Sequence, residues 1–255
     1  MHAHAHLGGV GFFTMLIVGV SYKLIPMFTL SELQSRGRAV GSVALLNLGL
    51  AGSFVAILRH SPLKPVFAGM VVAALAVYGW ELKAILHARK RRALDWGIQY
   101  FLTAIVLLLP LSVLAVVLSW PGLPRNTFTR QLENLYGFLG LIGVVTFAII
   151  GMLYKIIPFL VWFGRYSRQI GRGKVPALAD LYSARLQALG YWAWLAGLSV
   201  TGGAIVFANE AGIRIGCGFL ALGVGTLVLN VGKMLSHYFK PYPFPLPIST
   251  LPKTV

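Results

Sequence analysis

Seven stretches of the chain stay apolar for about 20 residues or more, at roughly 6–29, 39–59, 65–88, 97–120, 134–163, 185–208 and 212–237, with short polar links between them. A helix rises about 1.5 Å per residue, so each stretch is long enough to cross the roughly 30 Å hydrocarbon core of a bilayer. The apolar residues run without the period-two alternation of strands. The pattern predicts an all-α integral membrane protein, a bundle of about seven transmembrane helices forming a single membrane domain over residues 1–255.

The same pattern repeats. Gly19-Val-Ser-Tyr22-Lys23-Leu-Ile-Pro26 in the first stretch matches Gly151-Met-Leu-Tyr154-Lys155-Ile-Ile-Pro158 in the fifth, at a constant offset of 132. Lys83-x-x-x-His87-x-x-Lys90 at the end of the third recurs as Lys233-x-x-x-His237-x-x-Lys240 at the end of the seventh, at an offset of 150. Two copies of one unit are therefore expected, about 1–95 and about 96–240, followed by an extended tail over 241–255 whose Pro241, Pro243, Pro245 and Pro247 exclude a helix. The fourth stretch leads the second copy, and its counterpart before the first stretch is absent from the sequence. Either that helix was lost or the sequence starts late.

Composition changes the picture less than charge does. Hydrophobic residues make up 57% and charged residues 11%, too little polar surface to cover a water-soluble globule of 255 residues. The net charge of +16 would suggest nucleic acid in a soluble protein. Here the links fix where it sits, and no nucleic-acid partner is expected. Only Arg59, Lys64, Arg125, Arg130 and Arg214 of the 22 lysines and arginines fall on the face shared by the N-terminus. By the positive-inside rule the C-terminus lies in the cytoplasm and the N-terminus outside, in a bacterial or archaeal inner (cytoplasmic) membrane. The basic rim suits anionic lipid. A single Cys217 permits no intrachain disulfide, Cys-x-x-Cys-His is absent, and no cleavable signal peptide is expected.

Candidate chemistry concentrates at the mouth of the first helix, in His2-Ala-His4-Ala-His6-Leu-Gly8-Gly9. Imidazole is a common metal ligand. At 3.6 residues per turn, positions two apart point about 200° away from each other, so His2 and His6 share one face and His4 takes the opposite one. His60, in the link between helices two and three, falls on the same side of the membrane. Lys23 and Lys155 lie inside apolar stretches, where a lysine snorkels, pairs or faces a polar cavity. Glu81 is the only acid well inside a helix, and an interhelical partner such as Lys23 is expected for it.

A His-x-His pair just inside the outer surface, a glycine-rich apolar run and a Pro-Met-Phe exit together resemble the haem-bearing helix of the haem–copper oxidase subunit I superfamily, which includes the nitric oxide reductases. The repeated Tyr-Lys-x-x-Pro element looks like short relatives of that superfamily and of the NnrS membrane proteins. The resemblance covers about 25 residues well and implies that His4 matches the high-spin haem ligand and His6 the low-spin ligand, with His2 spare on the His6 face. It implies b-type haem near the outer face and Lys23 paired with a haem propionate or a quinone oxygen. The second axial position would be filled by His60, whose link reaches the same surface, or by a partner subunit, or stay open for a gas such as nitric oxide. His87 and His237 would form a lipid-facing rim or bridge a second haem. The superfamily's copper site needs three further histidines including an adjacent pair; His60, His87 and His237 supply none, so copper is not expected.

The function that follows is a haem-binding membrane subunit of a respiratory or nitrogen-oxide electron-transfer complex, with other membrane subunits, a periplasmic-side electron-transfer partner and quinone as partners. As an enzyme it would be an electron-transfer subunit of an oxidoreductase, not a complete oxygen reductase. Two other classes stand beside it: a non-catalytic structural or assembly subunit that has lost its metals, and a small-molecule transporter built from parallel repeats.

Overall fold

The computed structural model describes residues 4, 6–171 and 174–239, and shows an all-α bundle with seven helices long and apolar enough to cross a membrane. They are α1 (Leu7–Thr29), α2 (Arg36–Leu58), α3 (Lys64–His87), α4 (Trp96–Ser119), α5 (Thr127–Gln169), α6 (Ala184–Val206) and α7 (Glu210–Leu235). The chain is a membrane protein. Large apolar side chains such as Leu109, Val228 and Leu48 face outward along the helices, where only lipid could cover them favourably. The tail over 241–255 and part of the second repeat's end lie outside the described residues.

Polar side chains at the link positions fix where the helices start. Ser35, Asp95, Asn126, Ser183 and Asn209 each accept a hydrogen bond from a backbone N–H three residues on, satisfying one of the free donors of a helix N-terminus. Asn126 explains why α5 begins earlier than the apolar pattern predicts. Arg130 and Glu133 interrupt that pattern, yet the capped turn is helical and amphipathic, and it packs on α6.

The helices pack as antiparallel neighbours, α2 with α3, α4 with α5 and α6 with α7. Small residues set the close approaches. A Cβ on Gly49 would come within 2.9 Å of Val71, and one on Gly197 within 2.8 Å of Leu220, so the second and third helices of each repeat meet through a glycine at a matching place. The shared core is built from Leu46, Tyr78, Tyr100, Phe147, Trp194 and Met234.

Helices α1 and α5 share a local departure from α geometry. α1 winds as a π-helix over Leu7–Thr14 before becoming α-helical, and α5 does so over Leu139–Val145, between α-helical stretches Thr127–Phe138 and Thr146–Tyr166. Threonine closes the wide turn in both: Thr14 Oγ1 donates to the Gly9 carbonyl at 2.9 Å and Thr146 Oγ1 to the Leu141 carbonyl at 2.9 Å. Both bonds reach back five residues, the π spacing. The two threonines stand at the same offset of 132 as the Tyr-Lys-x-x-Pro elements.

Candidate functional site

The two described histidines of the N-terminal cluster sit in helical backbone at one end of the bundle, called here the histidine end; His2 lies outside the described residues. His4 is exposed. His6 is half-buried, and its ring lies 6.0 Å from that of Tyr136 on α5, nearly parallel to it. The divergence expected from helical spacing is thus used unequally: one imidazole faces outward and the other joins α1 to α5. Tyr136 is the residue that stands at the His4 position of the second repeat, so the contact crosses the repeats.

A haem held by a histidine needs an accessible imidazole nitrogen and space for a flat macrocycle clear of side chains. Gly8 and Gly9 follow the histidines, and a Cβ added at either would meet nothing within 4 Å. His4 with this open glycine face fits one axial bond to a haem. His6 offers its ring to Tyr136, so its resemblance-based role would require Tyr136 to give way. Among the described residues no group of three or more His, Cys, Asp or Glu side chains is placed to hold a metal ion.

His60 lies at the same end of the bundle, exposed, with φ +49°. The backbone explains it. The N–H of His60 donates to the Ile57 carbonyl and that of Ser61 to the Ala56 carbonyl, which closes the C-terminus of α2 through a left-handed residue. Ala208, 148 positions on, has φ +51° and the matching bonds at the end of α6. His60 occupies a helix-terminating position that needs no imidazole. His60→Gly is expected to raise stability by about 1 kcal/mol, since glycine adopts this conformation without a Cβ clash; the unfolding midpoint in detergent measures it.

At the opposite, basic end lies a buried carboxylate with three hydrogen bonds. Glu81 on α3 is 0% exposed. It pairs with Arg38 on α2, not with Lys23: Arg38 Nε donates to Oε2 at 2.7 Å, while the backbone N–H groups of Gln34 and Ser35 donate to Oε1 at 2.7 and 2.8 Å. Arg38 follows the helix start by one turn, and free N–H groups with a positive dipole end attract a carboxylate more strongly than a lysine on a helix farther off. The second repeat does the same without charge. Asn230 on α7, also fully buried, accepts from the Ser183 N–H at 2.8 Å and donates to the Ser183 carbonyl at 3.1 Å.

The two embedded lysines part company. Lys155 on α5 forms an ion pair with Asp95, the residue that caps α4, and its ammonium also lies 4.3 Å from the centre of the Phe28 ring. Lys23 on α1 is exposed and has no carboxylate within ion-pair distance among the described residues. Sequence reasoning missed Asp95, although an acid just before an apolar run is a helix-start signal. It also missed Tyr136 and Asn230, for which only the packing supplies a sign. His237 is buried and its Nδ1 lies 2.8 Å from the Tyr166 hydroxyl, whereas His87 is exposed and bonds the Lys83 carbonyl, so the two are not equivalent.

Between α3 and α4 runs an apolar groove of about 380 Å³ whose lining includes Lys83, His87 and Arg89 from the basic end. Its chemistry suits an amphiphile with an anionic or polar head. Comparison with known protein families, curated proteins and solved structures finds no match to this chain.

Proposed function

We propose that this membrane protein is a haem-binding subunit of a respiratory or nitrogen-oxide electron-transfer complex. It holds b-type haem at its histidine end through His4, with His6 as the second histidine of the pair. The observation that carries this reading is the exposed His4 followed by Gly8 and Gly9, at either of which an added Cβ would meet nothing within 4 Å. The haem when bound supplies one-electron redox chemistry. The chain's residues ligate it, hold the helix that bears the ligand and exclude water along the apolar bundle. The basic end faces the cytoplasm by its charge, so an electron-transfer partner meets the histidine end from the other side, and the groove beside Lys83, His87 and Arg89 takes quinone or anionic lipid.

A reduced-minus-oxidised spectrum of protein purified from haem-replete cells, with pyridine haemochrome quantification, tests the reading. A Soret band is expected that falls by roughly tenfold or more in His4→Ala, which removes the imidazole that would ligate the iron. His60→Ala is expected to leave it unchanged. A purified protein with no Soret band removes the proposal.

A second reading is favoured by the way the polar groups are used. Glu81 and Asp95 are occupied in helix starts and ion pairs, and His6 ties α1 to Tyr136. A non-catalytic structural or assembly subunit needs nothing more. It predicts that His4→Ala and His6→Ala leave both the spectrum and the activity of the assembled complex unchanged.

A further inference from the structure

We propose that the outward face of α1 from Gly11 to Lys23 is a docking site for a transmembrane helix of a partner membrane protein, one that starts at the basic end with an acidic residue paired to Lys23. The inference stands whether or not haem is bound.

The face is a shallow groove lined by Gly11, Phe12, Met15, Leu16, Gly19 and Val20. Gly11 and Met15 form its edge against Leu50 and Asn47 of α2, whereas Phe12, Leu16, Gly19 and Val20 are exposed, with no helix of the described residues over them. Phe12 is 62% exposed and Leu16 52%. With Lys23 these residues recur every three or four positions, so they form one stripe along the helix.

The second repeat shows what such a stripe is built to receive. At the offset of 132, Phe12 and Leu16 correspond to Val144 and Ala148, both buried. They are buried because α4 packs along α5. The crossing is tightest at Gly151, the counterpart of Gly19: a Cβ there would stand 2.7 Å from the Gly97 carbonyl oxygen and 2.9 Å from the Phe101 nitrogen. Gly143, the counterpart of Gly11, faces Leu107 of α4. Gly19 itself has nothing within 4 Å. The first repeat therefore keeps the small residue that allows a helix to approach closely, and no helix among the described residues occupies that place.

Charge selects the occupant. Lys155 is paired with Asp95, which is both the ion-pair partner and the N-terminal cap of α4. Lys23, its counterpart on the stripe, lacks such a partner among the described residues. A second copy of this chain docking through the same face about a two-fold axis along the membrane normal would set Lys23 against Lys23 at one depth, an unfavourable like-charge contact. A helix with an acidic first residue at the basic end removes that cost, and brings a negative charge to its own positive dipole end.

The test uses the full chain in nanodiscs with Cys217→Ser and Gly19→Cys, and as probe a synthetic peptide of residues 93–120 carrying Phe101→Cys. The peptide is the chain's own helix that covers the equivalent face. Disulfide cross-linking between the two is expected, well above that to a control Val40→Cys on an outward face of α2. Lys23→Glu is expected to lower the yield about tenfold, and a peptide carrying Asp95→Lys to restore it. Unchanged thermal midpoints of the variants establish that they fold. A yield indifferent to Lys23→Glu, a yield no higher than at Val40, or preferential cross-linking of Gly19→Cys chains to each other would each overturn the proposal. In native membranes a photoreactive residue at Leu16 is expected to label a membrane polypeptide within a transmembrane segment that begins with an acidic residue; labelling of lipid alone, or of a second copy, would overturn it.

Discussion

Gly151→Leu is expected to disrupt the α4–α5 crossing and destabilise the protein by about 3 kcal/mol or more, while Gly19→Leu at the same place in the first repeat leaves stability within about 0.5 kcal/mol. At Gly151 the added atoms collide with backbone: the Gly97 carbonyl oxygen and the Phe101 nitrogen stand under 3 Å from the first of them. Backbone inside two packed helices has no rotamer to change, so the helices must separate and lose the Tyr100–Phe147 ring contact beside them. At Gly19 an added Cβ meets nothing within 4 Å, so the leucine forces no helices apart. Unfolding midpoints of the two variants in one detergent check the contrast. Equal effects at both positions would mean that the outward face of α1 is already covered by something in the purified protein.

Glu81→Ala is expected to cost about 3–5 kcal/mol, because it strands an arginine and two backbone N–H groups at the start of α2. Glu81→Gln keeps an acceptor for the N–H groups and loses the ion pair; a cost of about 1–2 kcal/mol is expected. The buried Asn230 sets the scale, since it holds the start of α6 with no charge at all. Arg38 is partly exposed and lies over the Trp80 ring, so water and the indole offset part of its loss of a partner. Thermal unfolding of Glu81→Ala, Glu81→Gln and Arg38→Ala measures the order. A Glu81→Ala variant as stable as the parent would mean that water enters this end of the bundle and replaces the carboxylate.

The number of helices, their class and the membrane as solvent were legible in the sequence, because a span of hydrocarbon admits only long apolar helices. Helix ends were less so. Arg130 and Glu133 broke the apolar signal that would have placed the start of α5 at Thr127, and the information lay in Asn126, a cap. The partner of Glu81 was misplaced for a related reason. Lysine is the obvious counter-charge in a sequence, but a helix N-terminus is a counter-charge with no residue type of its own, and Arg38 was a neighbour of that terminus.

The candidate site divides along the same line. That His4 and His6 point apart follows from 3.6 residues per turn and nothing else. Which of them faces outward depends on Tyr136, a residue some 130 positions away in sequence that reaches His6 only when α1 and α5 stand side by side. Likewise the sequence alone pairs Lys23 with Lys155 as repeats of one another, since covalent order preserves their spacing. Only the tertiary structure makes them different: Asp95 reaches Lys155 because α4 lies against α5, and α1 has no such neighbour among the described helices. Periodicity and composition act along the chain and can be read there; burial, close approach and ion pairing depend on which surfaces meet, which the chain's order alone does not state.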